Sequence, residues 1–504
     1  MQRLTARNLI QSGVTIAVLL SWGTWPWIVR CQERVPAVLL NRPASGYRGI
    51  WYSNQPSHDQ YVYKYSGGLG TYCAKHRPFA VYRPEVEKTF FCYGGTTIDA
   101  VEGRDGTRKG SLLHMVSYYD HRTGMVPRPT ILLDKQTGDA HDNPVISVDD
   151  EGYLWIFSTS HGRVRPSFIH RSQQPYSIGP FEPVLAVRLD GERSVPITNF
   201  SYMQAWHVAG QGFLCFFTRY DDPAQRTIFS MTSQDGIHWE NWQRLAALGQ
   251  GHYQISAVGQ ISAGGTARAG SAFNYHPRSR GLNWRTNLYY LETPDFGHTW
   301  QDAAGVRLEV PLRDVRNAAL VYDYAAEGLN VYLKDICYDA QDRPVILYLT
   351  SRGYQAGPQN GPRTWMTARW TGQQWQIRSA FCSDNNYDMG SLWLDADGTW
   401  RILAPSETGA QPYNPGGEIA LWISHDQGAT WLRERQLTSD SPRNHTYVRR
   451  PVGVHPDFYA FWADGHGRQP SLSQLYFANR QGQVRMLPRV MQEKHEIPPL
   501  IPSH

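Results

Sequence analysis

Charge is scarce in this sequence. Lys, Arg, Asp and Glu make up 18% of its 504 residues, the net charge is only +5, and no run of basic residues occurs. A protein that tracks a phosphate backbone needs such a run, so nucleic acid is excluded as a partner. Cysteine is sparse too: six in all, with no CxxC and no zinc-like Cys/His spacing. Cys215, Cys337 and Cys382 sit in apolar, strand-like runs and read as small buried hydrophobes. Cys31 lies beside the N-terminal leader, and Cys73 with Cys92 could bridge neighbouring strands. No long amphipathic helix interrupts the chain, and past Trp22 no apolar run reaches spanning length. The N-terminus itself has Arg3 and Arg7 ahead of an apolar stretch, Gly13 to Trp22, too short to span on its own. Residues 1–30 are therefore expected to be a signal peptide or an uncleaved anchor. Trp22, Trp25 and Trp27 crowd the place of a cleavage site. Export is expected, to the periplasm, the medium or the cell surface.

What abounds is aromatic: 13% of the chain, with 18 Trp and 29 Tyr. Such a composition suits β-sheets and sugar-stacking surfaces, and argues against disorder. Asp139 to Arg163 shows the local plan. Pro144 to Val148 and Tyr153 to Phe157 read as strands, joined by a turn at Asp149-Asp-Glu-Gly152. His141 and His161 then meet at one end of the hairpin, on strands about 5 Å apart, and could exchange protons with one ligand. Taken alone, the pair is better read as two unrelated polar loop histidines, and the rest of the chain decides.

The plan repeats. Openings of the same kind occur at His76, His141, Tyr202, His252-Tyr253, Tyr332, Asn386 and His445, at intervals of 65, 61, 50, 80, 54 and 59 residues. Each interval suits one four-stranded blade. Three stretches, beginning at Ser233, Thr293 and Ser424, share an S/T-x-D-x-G-x-T-W plan, the first shortened. This Asp-box is a turn device without catalytic weight. The fold is expected to be all-β, a single seven-bladed propeller over residues 45–490, monomeric, with the seven openings lining one funnel.

The funnel residues suggest a chemistry. Tyr202 faces Arg219 across its hairpin as His141 faces His161, and Arg285 lies in an apolar strand where a guanidinium needs an anionic partner. β-Elimination of a uronic-acid polysaccharide uses this set: arginine to neutralise the carboxylate, and His and Tyr to move protons. It requires no nucleophile and no cofactor. We expect His141, His161, Tyr202 and Arg219 to be catalytic, and Arg285, His76, His252, Tyr253, Asn386, His445 and Arg449 to bind substrate. A sialidase-like hydrolase using Asp142, Asp388 or Glu407, and a non-catalytic glycan-binding propeller, are the alternatives.

The chain also resembles the BNR-repeat-containing proteins, whose characterised members include ulvan lyases and rhamnose–glucuronate lyases. The resemblance runs through GYRGIWY (46–52), YKYSGGLGTYCAKHRPFAVY (63–82), the HDNP hairpin, RTNLYY (285–290), NNYDMGSLWL (385–394), PYNPGGEIALWISHDQGATW (412–431) and NHTYVRRP (444–451). It implies a seven-bladed propeller and lyase action on an acidic polysaccharide. Tyr202 or a histidine would be base and acid, and Arg219 and Arg285 would meet the carboxylate. Some lyases of the family hold a structural zinc on His and Cys. The resemblance thus allows a calcium or zinc ion here, although no such ligand spacing stands in the sequence.

Overall fold

The computed structural model describes residues 37–69, 75–97, 111–222, 225–261 and 266–502. The expected leader, Cys31 and Cys73 lie outside them. Seven sheets of four to six strands form the ring of a seven-bladed β-propeller. Their innermost strands are Ala80–Arg83, Pro144–Val148, Ser201–Val208, Gln254–Ile261, Asn330–Tyr338, Ser391–Leu394 and Asn444–Arg449. We number the blades 1 to 7 in that order. Each of the seven openings read from the sequence falls at the start of one of these strands, or a few residues before it. Strands extend slightly beyond the expected limits: Val38–Pro43 is the outermost strand of blade 1, and His495–Glu496 pairs with Val126–Pro127.

Local chemistry explains the blades. In the blade 2 hairpin, Pro144–Val148 pairs with Leu154–Ser158. Asp149 Oδ1 accepts from the amides of Glu151 and Tyr153, its Oδ2 accepts from Trp155 Nε1 at 2.8 Å, and Gly152 takes φ +88°. The Asp-boxes turn the chain between third and fourth strands. At Thr293, the Asp295 carboxylate accepts from Thr299 N (2.8 Å) and Thr299 Oγ1 (2.7 Å), and the box at Ser424 repeats this with Asp426 and Thr430 (2.9 and 2.7 Å). The box tryptophans pack between blades. Trp239 is fully buried, with its ring 6.2 Å from Phe157 of blade 2 and 6.1 Å from Phe213 of blade 3. Cys92, Cys215 and Cys337 are buried as expected, whereas Cys382 is exposed. It lies on the outermost strand of blade 5, Trp375–Ser383, which has no further strand beside it among the described residues.

The axis of the ring is filled. Residues 75–78 run through it. Arg77 N donates to Met203 O (3.1 Å) and Ala205 N to Arg77 O (2.9 Å) in blade 3, and Ile146 N of blade 2 donates to Pro78 O (3.0 Å). The Lys75 ammonium reaches Leu333 O, and the Arg77 guanidinium pairs with Asp335, both in blade 5. Asp335 also accepts from Leu392 N of blade 6 (2.9 Å) and lies 3.7 Å from Arg450, just past the inner strand of blade 7. Both members of the Arg77–Asp335 pair are buried. A buried ion pair needs this many additional hydrogen bonds to offset its desolvation.

Candidate functional site

The two histidines of the blade 2 hairpin do meet. Asp139 caps the short helical turn Ala140–Asp142, accepting His141 N at Oδ1 (3.1 Å). The same Oδ1 lies 2.6 Å from His141 Nδ1, and Oδ2 lies 3.0 Å from His161 Nδ1. The rings stack with centroids 4.3 Å apart and planes at 17°. A carboxylate only accepts, so Asp139 fixes the proton of each neutral ring on Nδ1 and makes Nε2 the basic atom of both. Burial pushes the Asp139 carboxyl up, but the His141 charge and the imidazole hydrogen bonds prevail and hold it well below the usual carboxylate range. Burial, and then the His141 charge, lowers His161 below the usual histidine value. His141 is buried, while the His161 side chain keeps 35% of its surface in solvent. Behind them, Arg165 binds Asp139 (2.9 Å) and both oxygens of Asp142 (2.7 Å each).

Tyrosines ring this pair. Tyr202 stands 6.2 Å from His141, 6.2 Å from His161, 5.9 Å from His76 and 5.9 Å from Tyr253, centroid to centroid. Its hydroxyl is 3.1 Å from that of Tyr220. Its backbone has φ +51°, a strained value for a tyrosine, and such strain concentrates at functional sites. A two-stranded ribbon, Tyr52–Pro56 with Tyr63–Gly67, brings Tyr52 and Tyr65 edge-on to His141 at 5.2 and 6.1 Å. This is the place of the GYRGIWY and YKYSGG stretches. Tyr65 continues to Tyr387 (5.7 Å) and Tyr387 to Tyr332 (5.3 Å).

Two buried arginines serve this aromatic wall. The Arg285 guanidinium lies over Tyr253 (5.0 Å), Tyr332 (5.0 Å) and Tyr387 (5.9 Å). Arg226 lies over Tyr253 at 4.5 Å, donates to its hydroxyl, and sits 3.0 Å from His276 Nε2. Burial works against its charge, but Tyr253, Tyr220 and Tyr202 together raise its pKa above the usual value.

Arg219 goes elsewhere. Its guanidinium lies 5.3 Å from the Trp242 ring and donates to Asn199 O at 3.5 Å. It lines a cavity of about 670 Å³ with Arg188, Arg244, Arg313 and Trp242. Successive side chains of a strand point to opposite faces, and Tyr220 is the residue turned to Tyr202. The expected facing of Tyr202 by Arg219 is therefore corrected by one position, and the arginine at these phenols comes from Arg226 on the next strand. No sequence spacing singled out Arg226, Tyr220, Tyr52, Tyr65 or Asp139. Arg226 had one signal, its place soon after Asp221-Asp-Pro in the sequence, on the strand that pairs with the one carrying Tyr220.

Of the expected binding residues, Tyr253 and Arg285 stand in the aromatic wall and His76 beside Tyr202. Three others hold the scaffold. His252 accepts from Leu248 N (2.8 Å) and lies 2.9 Å from Asn274 O, so both ring nitrogens serve the backbone, and burial lowers its pKa to about 4. His445 accepts from Trp462 Nε1 (3.0 Å) and lies 2.9 Å from Ser441 Oγ. Asn386 donates to Tyr332 OH (3.2 Å) and Gly353 O (2.8 Å) and accepts from Arg363 (3.2 Å). Arg449 is different. It is buried over Tyr447 at 4.1 Å, and its three guanidinium nitrogens have no hydrogen-bond partner among the described residues. Its charge, with burial and that of Arg285, bears on Lys334, whose pKa burial lowers to about 7.

The acids a hydrolase would use are mostly committed. Asp142 is held by Arg165, by His161 N (2.7 Å) and by Lys135 (3.6 Å). Glu407 pairs with Arg433 at 2.9 Å. Asp388 accepts from Gly416 N (2.8 Å) and Asn385 N (3.1 Å), and burial, then Asp384, raises its pKa to about 8. The donor atoms of Asp139, His141 and His161 lie close enough to hold a metal ion. However, both Asp139 oxygens already accept from the imidazoles and Arg165, an arrangement that satisfies the carboxylate without a cation.

The family described as BNR repeat-containing family member matches residues 114–381. No curated protein matches the chain. Among solved structures, an ulvan lyase described as a new family of polysaccharide lyase is similar over 87% of this chain and 96% of its own, with 16% identity and a TM-score of 0.61. The structure of that lyase type bound to -[GlcA(1-4)Rha3S]- gives the same figures. The polysaccharide lyase Uly1 is similar over 88% of this chain and 98% of its own, with 10% identity and a TM-score of 0.52. At such identities the likeness is one of fold.

Proposed function

The chain belongs to the BNR repeat-containing family, and from that premise we propose that it is an exported polysaccharide lyase that cleaves a uronic-acid-containing polysaccharide by β-elimination. The observation that carries the reading is the pinning of two stacked imidazoles by one carboxylate, at 2.6 and 3.0 Å, beside a tyrosine pair. In that arrangement the carboxylate orients the two imidazoles, and the imidazoles and phenols are groups that take up and give protons.

Each group has one task. His161, the more exposed imidazole, takes the C5 proton of the uronate at Nε2. His141 and Asp139 hold its ring in place. The Tyr202–Tyr220 hydroxyl pair gives a proton to the departing O4. As the C5–H electrons form the C4–C5 double bond, the C4–O4 bond breaks. Negative charge building on the carboxylate is met by Arg285, and Arg449, whose guanidinium nitrogens have no hydrogen-bond partner among the described residues, offers a second guanidinium, because a buried arginine gains from an anion. Arg226 holds Tyr253 and places its charge beside Tyr202 and Tyr220. The reaction needs no cofactor. A uronate substrate is further supported by the glucuronate-containing unit bound to the ulvan lyase of the same fold. Hydrolysis is the weaker reading, because Asp142 and Glu407 are held in ion pairs.

Purified protein incubated with glucuronate-containing polysaccharides tests this. Lyase action releases fragments with the ultraviolet absorbance of an unsaturated uronate. New reducing ends without that absorbance would mean hydrolysis, and retention of intact glycan without fragments would mean a binding protein.

A further inference from the structure

Blades 1 and 7 close the ring without sharing a strand. Backbone hydrogen bonds sew them together, Val452 N to Ala80 O (2.9 Å) and Tyr82 N to Val452 O (2.8 Å), as do Tyr47 N to Pro488 O and Met491 N to Ser45 O. At the same seam lies a group of side chains that the proposed reaction does not use. His121 follows the blade 1 strand Leu113–Asp120, and His455 precedes the blade 7 strand Ala460–Gly465. Their rings are 3.7 Å apart at 42°, with Tyr82 flanking both at 5.2 and 4.9 Å. Asp457 stands beside them, its Oδ2 3.9 Å from His455 Nδ1. Each of the three offers a donor atom, and these atoms lie within 4.8 Å of one another.

Two details favour an ion over simple stacking. His121 Nε2 is 2.8 Å from the hydroxyl of buried Thr89, which orients the ring in the way that outer partners orient metal-bound histidines. Its Nδ1 is buried and has no hydrogen-bond partner among the described residues, a costly state unless something occupies the lone pair. The group also opens to solvent, because His455 and Asp457 keep 25% and 54% of their side-chain surface. It lies past the end of the inner strand that begins near His445, so it is on the opposite face from the histidine funnel.

We propose that His121, His455 and Asp457 bind a divalent transition-metal ion of the zinc class, which clasps blade 7 to blade 1. Two imidazole nitrogens and one carboxylate oxygen are a borderline-soft set that suits zinc better than calcium or magnesium, and a water completes a tetrahedron. The role is structural, since the ion would bridge the two blades away from the funnel residues.

The test uses full-length protein stripped of metal and dialysed against zinc ion alone, in wild type, His455→Ala, Asp457→Asn and His161→Ala. We expect one zinc per chain in wild type and in His161→Ala. Affinity should fall at least tenfold in His455→Ala and several-fold in Asp457→Asn. Zinc should raise the unfolding temperature of wild type and leave that of His455→Ala unchanged. Cobalt(II) in place of zinc should give the intense visible bands of four-coordination. Absence of stoichiometric binding, binding that survives both seam variants, or binding lost in His161→Ala would overturn the proposal. The last result would move the ion to the funnel.

Discussion

His161 shows how a common side chain acquires a task. Its Nδ1 is committed to Asp139 and its pKa is lowered by burial and by His141, so it remains neutral, hence basic, at pH values where an ordinary histidine has begun to protonate. The acid limb of kcat/KM should therefore fall below about 6.5, the ordinary histidine value. His161→Ala should abolish turnover while changing stability by about 1 kcal/mol or less, because a partly exposed polar ring contributes little packing; kinetics beside thermal melts check both. The arginines separate in the same way. Arg285→Lys keeps the charge but loses the planar fork, and should lower kcat/KM ten- to a hundredfold, about 1.4 to 2.7 kcal/mol. Arg219→Lys should change it little, since Arg219 faces Trp242. Equal losses in the two variants would return Arg219 to the reacting sugar. The His141–His161 meeting was legible in the sequence because a hairpin of known length fixes it. Arg226 was not, because a one-residue change of face in the strand of Arg219 and Tyr220 leaves no mark on spacing.

At the scale of elements, the Asp-box illustrates a motif whose whole meaning is mechanical. Its Asp ties the turn and its Trp fills the space between two blades. Trp239→Ala should cost about 3 to 5 kcal/mol, seen as a lower unfolding midpoint. The fraction still folded should keep the wild-type kcat, since Trp239 lies in the core between blades 2 and 3. The seven inner strands were legible because each begins with the same kind of opening, but what those openings do was legible only in part. His252, His445 and Asn386 share the sequence appearance of His141, yet their polar atoms are used up by backbone and neighbouring side chains. The ribbon carrying Tyr52 and Tyr65 escaped for a different reason. It belongs to no blade, so blade periodicity is silent about it.

For the whole molecule, buried histidines set the response to acid. Burial first holds His114 and His276 well below the ordinary value, and lowers His170 and His252 to about 4. An unfolded chain takes up protons at these histidines near pH about 6.5, so between that value and about 4 the unfolded state binds more protons and stability falls as pH falls. Asp384 and Asp388 act in the opposite sense. Burial raises them to about 6 and about 8, so the folded state holds the extra proton and their contribution is lost as pH rises through those values. The unfolding midpoint should accordingly be highest near neutrality, with a steep decline on the acid side and a shallower one towards pH about 8. Calorimetry across that range checks the shape, and a midpoint that is flat from pH 7 to 5 would contradict the neutral burial of these histidines.

The filled axis also decides how a polymer can be offered to the histidines. With residues 75–78 and the Arg77–Asp335 pair occupying the centre of the ring, the well has a floor. A long sugar chain cannot be threaded like string through a bead, and has to be laid over the rim like a rope over a bowl. For the lyase proposed above, a polymer would then be met from one side only, and a stretch in its middle could sag into the well as readily as its tip.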